Sequence, residues 1–178
     1  MIDLLNRPIV RTLLVGLPAL ALQTTVFADM RISGVVVQLL LAMSIAAGVS
    51  AGAEKGALAG FTLGLMLDLV LTTPLGLSAL VYGVAGFMGG YFHSKTLANP
   101  KWLDAVGLGV LSAVATFAHP VFANWVGVEG WLSTRVVHVV IVVSVVNLAI
   151  SPVIVPVMRW TQAVRREQRL SLSAGVPL

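Results

Sequence analysis

Asp68 is a carboxylate set inside an apolar run, Gly60 to Gly86, that reads GFTLGLMLDLVLTTPLGLSALVYGVAG. A charge in bilayer hydrocarbon costs about 3 kcal/mol even on lenient insertion scales, so such a residue is expected to have a partner or a task. Gly60, Gly64 and Asp68 recur every four residues, which puts two flat patches and the acid on one helical face. That face should look into protein. In a helix entering the membrane near Gly56, Asp68 lies about 18 Å along the axis. His119, Arg135 and His138 fall at a broadly similar depth, and Arg135 and His138, three residues apart, face the same way.

Two kinds of chemistry are compatible with that set. Asp68 with Arg135 or His138 would make a buried cluster able to relay protons or bind a polar ligand. The same residues would equally make an ion pair or hydrogen-bonded pin that fixes helix packing. The pin is favoured, because a proton path wants several aligned carboxylates and the other spans offer none in their interiors. Which of Arg135 and His138 pairs with the acid stays open.

No catalytic set accompanies the acid. Ser and Thr are scattered without a His-Asp partner at a plausible spacing, no HExxH occurs, and no GK[ST] follows the glycines. Three histidines on separate elements and no cysteine are a poor basis for a metal site. No catalytic, cofactor-binding or metal-ligating residue is assigned, and the chain is expected not to be an enzyme.

The elements that position Asp68 follow from composition. The chain has 178 residues, 58% hydrophobic and 10% charged, where a soluble domain carries roughly 25% charged residues. Mean hydropathy is +0.98. That deficit of charge indicates an integral membrane protein, with length for about six spans of ~20 residues. No segment is long and polar enough for a soluble domain, which excludes large catalytic lobes and nucleotide-binding folds. The net charge of +4 does not indicate nucleic acid, because the positive residues lie in short loops and at the ends.

Six apolar runs are expected at 12–28, 32–53, 56–73, 75–92, 104–123 and 134–158, with a short basic tail over 159–178. The fold class is an all-α polytopic membrane protein, a compact six-helix bundle forming one transmembrane domain. With the N-terminus in the cytoplasm, the inner side holds Arg7, Arg11, Lys55, Lys95, Lys101, Arg159, Arg165, Arg166 and Arg169, and the outer side only Arg31 and Arg135. This positive-inside bias puts both termini in the cytoplasm. Trp102 and Trp160 then fall at the inner interface, Trp125 and Trp131 at the outer one. Arg7, Arg11 and Ala19-Leu20-Ala21 also resemble a signal peptide with its cleavage site. The uncut helix is preferred because it already satisfies the charge rule.

Small residues at four-residue spacing mark close helix contacts: Gly48 and Gly52, Gly56 to Gly64, Gly86 and Gly90, and Ala105, Gly109 and Ala113. Pro74-Leu75-Gly76 makes a tight outer turn, with proline setting φ and glycine permitting φ > 0. Pro152 and Pro156 should kink or loosen the last helix. Gln38 and Asn147 are read as interhelical hydrogen bonders, and His93 as solvated. The basic tail reads as an anchor on anionic membrane lipids.

Over the 27 residues from Gly60 to Gly86 the chain resembles the bacterial rod shape-determining protein MreD family. The resembling elements are Gly60-x-x-x-Gly64-Leu65-x-Leu67-Asp68, then Pro74-Leu75-Gly76-Leu77-x-Ala79-Leu80-x-Tyr82, then Gly86. Size and the six apolar runs fit along the rest. The resemblance implies a non-enzymatic membrane scaffold of the elongation machinery that builds lateral peptidoglycan and sets cell shape. Its implied partner is MreC, which leads to the glycosyltransferase RodA with its partner transpeptidase and, indirectly, to MreB. It implies structural roles for Asp68, Pro74 and Gly76. The alternative is the substrate-binding component of an energy-coupling-factor vitamin transporter, also a compact six-helix protein of this size. Helix 1 lacks the Ala-x-x-x-Ala face typical there, although Ala42 and Ala46 have that spacing in the second span.

Overall fold

The computed structural model describes residues 8–29, 34–71, 74–95, 101–125, 127 and 135–163, and among them every regular element is a helix. These are α1 (Pro8–Thr24), its short continuation α2 (Val26–Asp29), α3 (Leu39–Ala51), α4 (Ala53–Asp68), α5 (Leu77–Lys95), α6 (Lys101–Trp125) and α7 (Arg135–Gln162). Taking α1 and α2 as one path, the described residues make six helical passes. Among the described residues three stretches are long and apolar enough to cross a membrane: Pro8–Asp29, Trp102–Trp125 and Arg135–Gln162. The chain is an all-helical membrane protein.

Of the remaining helices α3 is the interior one, whereas α4 and α5 present exposed side chains such as Phe61 and Val84. α3 has 13 residues, about 20 Å of rise, and Leu40 through Val49 are all buried. A helix that is apolar all round belongs inside, and α3 packs against α4, α5 and α7 at once. The helix begins at Leu39 rather than near residue 32. Gly34 at φ +80° and the β-branched run Val35-Val36-Val37 hold the preceding chain out of helix, while Ile32 lies outside the described residues. Gly52, at φ +92°, alone separates α3 from α4. The break expected at Glu54-Lys55 is therefore displaced. Those two residues sit in the first turns of α4, where an acidic side chain suits the helix dipole.

α4 and α5 form a backbone-to-backbone seam. A methyl group at Gly64 would strike the Ser78 carbonyl, one at Gly60 the Tyr82 carbonyl, and one at Gly56 the Gly86 carbonyl. Gly48 of α3 meets Gly86 as well, and Gly90 meets Ala53. Three backbones thus touch along one line, the arrangement small residues permit where lipid gives no hydrophobic drive. Gly109 on α6 faces Leu148 of α7.

α7 runs through Pro152 and Pro156 as one helix of 28 residues. Proline at 152 cannot donate to the Leu148 carbonyl. The Ser151 hydroxyl donates to that oxygen instead, at 2.8 Å.

The two ends of the bundle differ. At one, Arg11 of α1 donates to the Ala163 carbonyl at 3.1 Å and lies over the Trp160 ring, while Gln162 donates to the Thr12 hydroxyl at 2.9 Å. The start of the first helix and the end of the last therefore meet, and α1 is built into the bundle through buried Thr12, Gly16, Ala19, Leu20 and Gln23. Lys55, Lys95 and Arg159 share this end. Trp102 and Trp160 stand exposed there and Trp125 at the other end; Trp131, Arg7, Arg31 and the tail beyond residue 163 lie outside the described residues. Between the ends Leu14, Leu17, Val84, Val110, Val114 and Val145 form an exposed apolar belt.

Candidate functional site at the Asp68 end

The glycine row of α4 delivers Asp68 to its place. Gly56, Gly60 and Gly64 pair with Gly86, Tyr82 and Ser78, so the next position along the same face, Asp68, falls opposite the first turn of α5. α4 ends at this residue instead of continuing to 73. Asp68 Oδ2 accepts from the Gly76 amide at 2.9 Å and the Ala79 amide at 3.2 Å, and Oδ1 accepts from the Ser78 amide at 3.2 Å. These are amides with no acceptor inside their own helix, at the end where the dipole favours negative charge. The acid is 2% exposed. Gly76 adopts φ +95° and the Leu77 amide returns to the Pro74 carbonyl at 3.2 Å, which closes the turn.

Ser78 carries the constellation across to α6. Its amide serves Asp68, and its hydroxyl lies 3.2 Å from His119 Nε2. Tyr82, one turn further along α5, is 3% exposed.

The sequence-derived set is only partly assembled. Gly60, Gly64, Asp68, Pro74 and Gly76 come together in the α4–α5 hairpin. Arg135 and His138 stand exposed on the first turns of α7. The hydrogen bonds to Asp68 named above come from backbone amides, and the histidine beside it is His119. His119 and Arg135 line one cavity at the Asp68 end; position along a helix does not fix direction around its axis.

A cavity of about 670 Å³ opens at this end, walled by residues of α1, α2, α4, α5, α6 and α7 and of the segment that precedes α3. Arg135 lies on its rim, and Ser78, Tyr82 and His119 line it. Gln23 of α1 lines it too, and its Oε1 accepts from the Leu40 amide at 3.0 Å, capping α3. Sequence reasoning passed over Gln23, although a lone amide in an apolar helix was visible. Gln38 does make an interhelical bond, accepting from the Thr116 hydroxyl at 3.3 Å, and Asn147 donates to the Ser112 hydroxyl at 2.9 Å.

At the opposite end Asp104 holds Arg159 at 3.2 Å and His93 Nδ1 at 2.9 Å. His93, expected to be solvated, is thus part of a clasp joining α5, α6 and α7. The separation of the three residues by 11 and 55 positions hid it. No family model, curated protein or solved structure matches the chain.

Proposed function

We propose that this chain is a non-enzymatic membrane scaffold of the MreD type, resident in the inner membrane with both termini in the cytoplasm. The observation that carries this reading is the hairpin. Gly60, Gly64, Asp68, Pro74, Gly76, Tyr82 and Gly86, seven of the residues that carry the resemblance, meet in one α4–α5 hairpin. Their chemistry there is positional: flat surfaces, a capped helix start and a left-handed turn. A rigid hairpin inside an apolar belt suits a protein whose task is to hold neighbours, here MreC and through it the wall-building enzymes RodA and its transpeptidase, with MreB behind them. Depletion is expected to turn rod-shaped cells round, and a pull-down in mild detergent to retain an MreC-like protein. Normal shape with normal wall insertion would count against the proposal.

A second reading, a substrate-binding component of an energy-coupling-factor vitamin transporter, draws support from the cavity at the Asp68 end. A volume of about 670 Å³ lies within the range of small-molecule sites. The same pull-down separates the two: a vitamin bound one to one, with coupling subunits in place of MreC, favours the transporter.

A further inference from the structure

We propose that the cavity at the Asp68 end binds an anionic amphiphile, with its phosphate or carboxylate head between Arg135 and Tyr82 and its apolar body along the valines and leucines of the wall. This goes beyond the scaffold reading and holds for either proposed function.

Hydrogen-bond donors with nothing to bind are the first argument. Among the described residues, the Tyr82 hydroxyl and the Arg135 guanidinium make no hydrogen bond or ion pair. Tyr82 is 3% exposed and lines the cavity. Its hydroxyl opens to that cavity, within reach of an acceptor seated there, and a guanidinium matches a carboxylate or phosphate in geometry. Gln38 uses Oε1 for Thr116, which leaves its NH2 as a third donor on the wall.

The sign of the charge is the second argument. No carboxylate is among the described lining residues, and Arg135 is the one Lys or Arg among them. Asp68 lies behind the wall with its oxygens committed to the Gly76, Ser78 and Ala79 amides. An acceptor-rich, negatively charged head is therefore what the site can satisfy. The rest of the wall, including Val35, Leu67, Val136 and Val139, asks for hydrocarbon. A membrane lipid and a free organic acid share this chemistry.

The test is thermal unfolding of the full chain in neutral detergent, titrated with dodecyl phosphate, with naphthoate as a soluble organic acid, and with dodecanol as the uncharged control. A ligand that binds only the folded state raises the midpoint with concentration. One or both anions should raise it and dodecanol should not. A response to dodecyl phosphate alone identifies a lipid as the source; a response to naphthoate identifies a free acid. Arg135→Gln should weaken the effective anion at least tenfold and Tyr82→Phe severalfold, with Lys55→Gln, remote from the cavity, unchanged. Both substituted residues leave the helix seam intact, and the midpoints without additive check that each variant is folded. No response to either anion, an equal response to dodecanol, or an undiminished response in the Arg135→Gln Tyr82→Phe double variant would overturn the proposal.

Discussion

Ser78 and His119 join the α4–α5 hairpin to α6: the serine hydroxyl lies 3.2 Å from His119 Nε2 while the same residue's amide donates to Asp68. One residue thus ties the capped helix start to the neighbouring span. Ser78→Ala keeps the amide and deletes only the hydroxyl. Interhelical polar contacts in membranes average about 0.6 kcal/mol, so the variant should lose roughly that amount of stability. A loss of several kcal/mol would mean that the hydroxyl is central to the cap.

Asp68 should matter more. Its carboxylate accepts three amide bonds at 2% exposure. Deleting a helix cap costs about 0.5–2 kcal/mol, and leaving buried amides unsatisfied adds to that. Asp68→Ala is expected to destabilise by about 2–3 kcal/mol, near the top of those ranges. Asp68→Asn, which retains an acceptor oxygen, should lose roughly half as much. Unfolding midpoints in detergent decide; an Asp68→Ala protein that melts with the wild type would remove the cap from the account.

The glycines offer a paired comparison. A methyl at Gly60 meets the Tyr82 carbonyl, whereas one at Gly107 meets nothing within 4 Å. Overpacking typically costs 1–3 kcal/mol, and glycine inside a helix is worse than alanine by roughly 0.5–1 kcal/mol. Gly60→Ala should therefore destabilise while Gly107→Ala is neutral or stabilising. Equal effects at the two sites would argue against the tight α4–α5 seam.

How far the sequence discloses this arrangement depends on the kind of signal. The inward face of α4 was legible because Gly60, Gly64 and Asp68 repeat with the helix period, and Pro74-Leu75-Gly76 announced a turn that Gly76 makes at φ +95°. The partners of Asp68 were not, because a backbone amide has no letter of its own. A search over side chains reaches Arg135 and His138 and passes over Gly76, Ser78 and Ala79. The start of α3 was misplaced for a related reason. Hydropathy does not distinguish helix from extended chain, and Val35-Val36-Val37 is apolar in either form. The Asp104 clasp unites residues from three helices, and only the packing of those helices brings them together.

That clasp can be measured by a double-mutant cycle. The Arg159 side chain is 50% exposed while that of Asp104 is 8% exposed. The half-exposed cation limits the pair to about 0.2–1 kcal/mol of coupling. Asp104→Asn alone should cost more, roughly 1–2 kcal/mol, since it also weakens the contact with His93 near a buried position. A coupling indistinguishable from zero between Asp104→Asn and Arg159→Gln would show that the two residues act independently.

Orientation follows from the unequal ends. Arg11, Lys55, Lys95 and Arg159 lie at the end where α1 starts and α7 stops, and Arg135 lies at the other. Positive residues are retained on the cytoplasmic side, so the cavity at the Asp68 end should open outward. The absence of cysteine from the chain allows a clean reading by single substitutions. Trp125, 81% exposed at the Asp68 end, is one site, and Lys95, exposed at the opposite end, is the other. In intact cells a membrane-impermeant maleimide should label Trp125→Cys and spare Lys95→Cys until the membrane is permeabilised. The opposite pattern would turn the bundle over, place the donor-lined cavity toward the cytoplasm, and change which pool of anions could reach Arg135.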